Sequence, residues 1–111
     1  MRLLIVEDER LLRRSLTHYF ELRGYEVAEA GCLAEAEEQL ATGPFEAALV
    51  DVCLPDGNGL CLLERIGSAR VIAMSAHPSF FELGGRAVLH RMEKPLDLAH
   101  AERLVARLAA A

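Results

Sequence analysis

The sequence predicts an α/β protein built on a parallel five-stranded sheet, with helices on both faces. Three observations predict it. Short aliphatic runs, Leu3-Leu4-Ile5-Val6 and Ala47-Ala48-Leu49-Val50 among them, have the length and composition of strands buried on both sides. The stretches between them carry apolar residues at every third or fourth position, the period of a helix packed along one face. Five strand-like runs alternate with helix-like ones, and right-handed crossovers turn that (βα)5 order into a doubly wound sheet.

The first strand spans residues 2–7. The amphipathic stretch 9–23 follows, with Leu12, Leu16 and Phe20 on one face, and Gly24 ends it. Residues 25–30 alternate as a second strand, and 33–41 carry Leu33, Ala36 and Leu40 at helical spacing. Thr42-Gly43-Pro44 stops that helix, since glycine suits a left-handed cap and proline cannot continue the helix. Residues 47–52 form the third strand, 54–59 are dense in turn residues, and 60–66 make a short helix. A fourth strand covers 70–76 and a fifth 88–93. Between them, residues 78–85 offer barely two helical turns before Gly84-Gly85, so a short fourth helix is expected. Asp97 caps a last helix whose Leu98, Ala101, Val105 and Leu108 share a face.

A chain of 111 residues is one domain, 1–111, able to bury roughly two-thirds of its unfolded surface. Its 52% hydrophobic and 26% charged residues are ordinary for a globular protein. The apolar runs are too short to cross a bilayer, and no signal peptide opens the chain, which points to the cytoplasm and to no membrane partner. Cys32, Cys53 and Cys61 are odd in number and lack metal-ligand spacing, which fits reduced thiols. A net charge of −5 argues against direct nucleic-acid binding. Arg13 and Arg14 read as the solvated face of the first helix.

Parallel sheets collect functional groups where their strands end. Here the first strand ends in Glu7-Asp8, the third in Asp51, the fourth in Ser75, and the fifth in Lys94-Pro95. Singly, each has a plain explanation: acid at a helix start, a loop cap, a satisfied hydroxyl, a solvated strand end. Converging on one edge, they make a crowded acidic site beside a lysine. Two carboxylates 4 Å apart repel by about 4 kcal/mol at an effective dielectric of 20. Such a pair must hold a proton or a cation.

At this point the chain resembles the receiver domain of two-component response regulators, from Leu3 to the last helix. The motifs that carry the resemblance are Val6-Glu7-Asp8-Glu9, the run from Val50-Asp51 through Pro55-Asp56-Gly57-Asn58-Gly59, Ser75-Ala76, and Glu93-Lys94-Pro95. The resemblance implies a flavodoxin-like fold with strand order 2-1-3-4-5. It implies Mg2+ held by Asp8 and Asp51, with Glu7 directly or through water and the Cys53 backbone carbonyl as a further ligand. Asp51 would be the phospho-acceptor, taking a phosphoryl group from a sensor histidine kinase or phosphotransfer protein as an acyl phosphate. Lys94 would neutralise the transferring oxygens, and Ser75 would bind one of them and draw its loop inward. The peptide before Pro95 would be cis. Signalling to an effector or output domain would run through the face of the fourth helix, fifth strand and last helix. Only the self-catalysed gain and loss of phosphate is implied, not turnover of a separate substrate.

The chain departs from the pattern in four respects. Arg91 stands where the family usually carries Tyr or Phe, three residues before the lysine. The spans from Asp51 to Ser75 and from Ser75 to Lys94 are each several residues short, which trims the third and fourth helices. Phe80 and Phe81 fall in the second span, and an exposed one would suit a partner site. Cys53 and His77 occupy the positions that tune phosphoryl lifetime, and slow to intermediate dephosphorylation is expected.

Three other readings bear on the same residues. A phosphatase of the haloacid-dehalogenase type also uses an aspartyl phosphate but needs an Asp where Cys53 stands. A Rossmann-type enzyme needs glycines where Asp8-Glu9-Arg10 stands. A phosphorylation-independent pseudo-receiver would keep the fold as a docking module. The missing aromatic and the shortened fourth helix favour that last reading, and the intact Asp8, Asp51, Ser75 and Lys94 oppose it. His18, His90 and His100 form no ligand pattern.

Overall fold

The computed structural model of the chain describes residues 1–77, 79 and 88–110. Along the chain run β1 (Arg2–Val6), α1 (Arg10–Glu21), β2 (Glu26–Ala30), α2 (Leu33–Leu40) and β3 (Ala47–Asp51). They are followed by β4 (Cys53–Leu54), β5 (Gly57–Asn58), α3 (Leu63–Ile66), β6 (Val71–Ser75), β7 (His90–Glu93) and α4 (Leu98–Ala110). The main sheet has the order β2-β1-β3-β6-β7, parallel throughout. Because β4 and β5 form a separate small hairpin, β6 and β7 are the fourth and fifth strands anticipated from sequence, and the order 2-1-3-4-5 holds.

Alternation along the buried strands divides the core in two. Leu4, Val6, Ala48, Val50 and Ala73 face one way, against Ala36 of α2 and Leu60, Leu62 and Leu63 around α3. Leu3, Ile5, Ala47, Leu49, Ile72 and Met74 face the other, against Leu16 and Phe20 of α1 and Ala101 and Val105 of α4. Each fully buried Leu, Ile or Phe contributes about 1.5–3 kcal/mol through removal of apolar surface from water. Phe20 meets the rings of Tyr19 and Tyr25 edge-on, with centroids 5.5 and 5.3 Å away. The faces predicted for α1 and α4 are therefore the faces that pack.

Helix ends follow the local chemistry. Gly24, at φ +89°, closes α1 with Gly24 N–H donating to Glu21 O and Tyr25 N–H to Phe20 O. Asp97 caps α4, its Oδ1 accepting from His100 N–H at 3.1 Å.

Two local expectations change. The helix anticipated over 60–66 begins as a 3₁₀ turn at Gly59–Leu62 and becomes α-helical only over Leu63–Ile66. The turn-rich segment before it pairs Cys53 with Asn58 and Leu54 with Gly57 as a two-residue hairpin. The anticipated fourth helix, with Phe80 and Phe81, lies outside the described residues. Among the described residues, no helix is long and apolar enough to cross a membrane.

Candidate acidic site

Strand register assembles the site. Val6 pairs with both Ala30 and Val50, so Glu7 and Asp51 stand side by side one residue beyond that level. Asp51 pairs with Met74, and Ser75 with Glu93, so the hydroxyl and then Lys94 follow at the same edge. Glu7, Asp51 and Ser75 are 0%, 4% and 2% exposed, whereas Asp8 projects to solvent.

Each buried acid is held at both oxygens. Asp51 Oδ1 accepts from Cys53 N–H at 2.9 Å, and Oδ2 accepts from Lys94 Nζ at 2.8 Å. Glu7 Oε2 accepts from Glu9 N–H at 3.0 Å, and Oε1 lies 2.6 Å from the same ammonium. Lys94 thus bridges the two carboxylates from the last strand, and its peptide bond to Pro95 is cis, as the resemblance implies.

Burial pushes the Glu7 carboxyl up to about 7, its contacts with Lys94 and Glu9 N–H opposing and the Asp51 charge reinforcing the rise. Burial would lower Lys94, but its bonds to Asp51 and Glu7 outweigh this and hold its pKa above the ordinary lysine value. Burial, then the charges of Asp51 and Asp8, raise the Cys53 thiol against the opposing pull of Lys94. Cys53 therefore stays a neutral thiol at neutral pH.

Glu7, Asp8 and Asp51 each offer a carboxylate oxygen, all within 4.8 Å of one another. Three hard oxygen donors at that spacing suit a divalent ion that prefers oxygen and keeps several waters. Beside them opens a cleft of about 220 Å³ lined by Asp8, Asp51, Cys53, Ser75, Ala76, His77 and Lys94. Asp8, Asp51, Ser75 and Lys94 thus come together as their strand ends required, with Glu7 buried beneath. Ser75 is engaged within its own loop: its hydroxyl donates to His77 O and accepts from His77 N–H, both at 3.0 Å. Arg91 is exposed on β7 at the position paired with Ala73.

Three supporting residues escaped the sequence reading. Arg13 is not a solvated face residue: its side chain is 19% exposed and its Nη1 donates to Glu7 O at 2.7 Å, while Arg14, at 61%, is exposed as read. Gly59 N–H donates to Val52 O at 2.8 Å, and a Cβ there would lie 2.0 Å from the Asp51 carbonyl oxygen. Asp56 reaches across to α2, where Leu33 and Ala34 N–H donate to its two oxygens at 2.8 and 3.1 Å. It thus caps a helix whose own N-cap, Cys32, makes no side-chain cap bond. The sequence signal for Gly59 was its place at the end of the turn-rich segment, immediately before the apolar run that opens at Leu60. For Arg13 and Asp56 the partners are 6 and 23 residues away, and no local pattern names them.

A family model described as the response regulator receiver domain matches residues 3–101. Over 112 residues the chain is 30% identical to the DNA-binding transcriptional regulator NtrC of Azospirillum brasilense, covering 95% of this chain and 23% of that protein. Over 60 residues it is 40% identical to the swarming motility regulation protein RssB of Serratia marcescens, covering 54% and 27%. The chain spans about a quarter of the length of these relatives. Among solved structures it resembles a receiver domain protein of Methanospirillum hungatei JF-1, at 29% identity and a TM-score of 0.81 over 98% of this chain and 94% of that one. A sensor protein of Polaromonas sp. JS666 is similar at 31% identity and the same TM-score, over 98% and 95%.

Proposed function

Because the chain belongs to the response regulator receiver family of two-component signalling, we propose that it is a Mg2+-dependent phospho-accepting switch with Asp51 as acceptor. The observation that carries this reading is the meeting of Glu7, Asp8 and Asp51 within 4.8 Å beside a lysine 2.8 Å from Asp51. Residues 1–111 act as one receiver unit. The family is one of signalling domains, and the chemistry proposed is self-directed.

In the transfer, an Asp51 carboxylate oxygen attacks the phosphorus of a phosphohistidine on a sensor kinase or phosphotransfer protein. A P–O bond forms, the P–N bond breaks, and the imidazole leaves and takes up a proton. Glu7, Asp8 and Asp51, with the Cys53 backbone carbonyl, would hold Mg2+, which when bound supplies charge neutralisation for the attacking and phosphoryl oxygens. Cys53 N–H, donating to Oδ1, keeps the carboxylate oriented toward the cleft. Lys94, relieved of part of its role as counter-ion, turns its ammonium to the phosphoryl group. Ser75 exchanges its bond to His77 O for one to a phosphoryl oxygen, which draws the end of β6 toward Asp51. That displacement is the signal, read by an effector or output domain on the face that includes β7 and α4. Neither nucleic acid nor membrane is a direct partner of this domain, and its setting is cytoplasmic.

The test is incubation with acetyl phosphate and Mg2+, followed by intact-mass measurement. A labile adduct of one phosphoryl group, lost when EDTA replaces Mg2+, supports the reading. An adduct indifferent to EDTA, or none on folded protein, overturns it.

A further inference from the structure

Arg13 occupies an unusual place for a residue of an exposed-looking helix. Its Nη1 donates to the carbonyl oxygen of Glu7 at 2.7 Å, and its Nε donates to Glu29 Oε1 of β2 at 3.1 Å. The guanidinium also lies against the turn after β2, where a Cβ on Gly31 would meet Nη1 at 3.1 Å. Glu29, 21% exposed, is shared with Arg14, so the acceptor that anchors Arg13 is itself held. On the other side of the same residue, Glu7 N–H donates to Ala30 O at 2.9 Å.

Glu7 is the first residue beyond the last ladder pair of β1, so its carbonyl belongs to the peptide that joins the two acids Glu7 and Asp8. That peptide plane decides where Asp8 starts and, with the Ala30 bond, how Glu7 is rotated. A charge-assisted bond from a planar fork anchored at its other end restricts that rotation more than a neutral bond to a mobile group would.

We propose that Arg13 is a positioning residue for the acidic cluster, fixing the Glu7–Asp8 peptide and thereby setting divalent-cation affinity. The inference rests on the cation-binding reading of Glu7, Asp8 and Asp51. Two effects of Arg13 oppose each other, and their signs separate them. As a positive charge near three carboxylates, it repels an incoming cation. As a clamp on the peptide between two ligands, it preorganises the site. The geometry points to the clamp as the larger, since outer partners that orient metal ligands change affinity by about 10–100-fold.

The experiment is titration of wild type, Arg13→Gln and Arg13→Lys with Mn2+, following the free ion by electron paramagnetic resonance, with Mg2+ competition. Circular dichroism establishes that each protein is folded at the assay temperature. The expected result is binding about tenfold weaker in Arg13→Gln despite the lost positive charge. Arg13→Lys, which keeps the charge but cannot span both acceptors, weakens binding as well, and it carries the test if Arg13→Gln does not fold. Unchanged or tighter binding in the variants, with wild type binding normally, overturns the role of Arg13 alone. Failure of folded wild type to bind either ion overturns the cation reading and this inference together.

Discussion

Lys94 Nζ stands 2.8 Å from Oδ2 of Asp51, so the outermost strand of the sheet delivers its cation to the carboxylate that ends the central one. The same ammonium lies 2.6 Å from buried Glu7 and serves as the counter-ion for both acids. It therefore competes with a divalent cation for the carboxylates while also serving phosphoryl transfer.

Lys94→Met separates those two parts. Mn2+ affinity rises by about tenfold, or 1.4 kcal/mol, because the competing charge is gone. The rate of phosphorylation by acetyl phosphate falls by about a hundredfold or more, as when one preorganised charge is removed from a reacting centre. Metal titration and timed mass measurements read the two effects. Weaker metal binding in the variant would show that Lys94 organises the cation site instead of competing for it.

Gly59→Ala meets backbone, not a movable side chain. Its Cβ would sit 2.0 Å from Asp51 O, 3.0 Å from Asp51 C and 2.9 Å from Val50 Cγ1. The loss of stability is expected at about 3 kcal/mol or more, in the overpacking range. Gly24→Ala is the comparison: nothing lies within 4 Å there, and only its φ of +89° opposes the change. Its cost is about 1 kcal/mol. Urea unfolding ranks the two, and equal losses would refute the close approach at Asp51.

Asp56→Ala removes the cap that the hairpin supplies to α2. The bond from Leu33 N–H, partly offset by desolvation and helped by Ala34 N–H, holds the Asp56 carboxyl below its ordinary 3.8. A carboxyl depressed on folding adds stability that is complete above its unfolded pKa and is lost as pH falls through the folded value. Wild type is thus expected to melt above Asp56→Ala at pH 7, with the gap narrowing below about pH 4. Thermal unfolding from pH 7 to pH 3 measures it. A gap constant with pH would assign the effect to something other than the charged cap.

Cys53→Asn tests phosphoryl lifetime. The thiol lines the cleft and is held neutral by burial and the adjoining acids, so it orients water poorly. An amide in its place donates and accepts, and the lifetime is expected to shorten severalfold. Decay of the phosphorylated mass after removal of the donor gives the comparison, and an unchanged lifetime removes Cys53 from the account.

Much of this architecture was legible because periodicity and strand ends are local. Leu3 to Val6 and Ala47 to Val50 announce buried strands, and the residues that end them are the ones the register brings together. Boundaries shifted by a residue or two, as at β7, which begins at His90 instead of residue 88. There Val88 and Leu89 extend the apolar run but make no ladder. The β4–β5 hairpin was hidden because turn residues specify a reversal without saying whether the flanks pair. The roles of Arg13 and Asp56 were hidden for a different reason. Each looks like an ordinary polar residue in its own element, and its role exists only once β2 or α2 is folded against it.

The measurement that tests the central claim most directly locates the phosphoryl group. After reaction with Mg2+ and acetyl phosphate, borohydride reduces an aspartyl phosphate to homoserine, which peptide mapping assigns to a position. The account predicts homoserine at position 51 and none in Asp51→Asn treated in parallel. Modification at Asp8 or elsewhere, or none on folded protein that binds Mg2+, would contradict it.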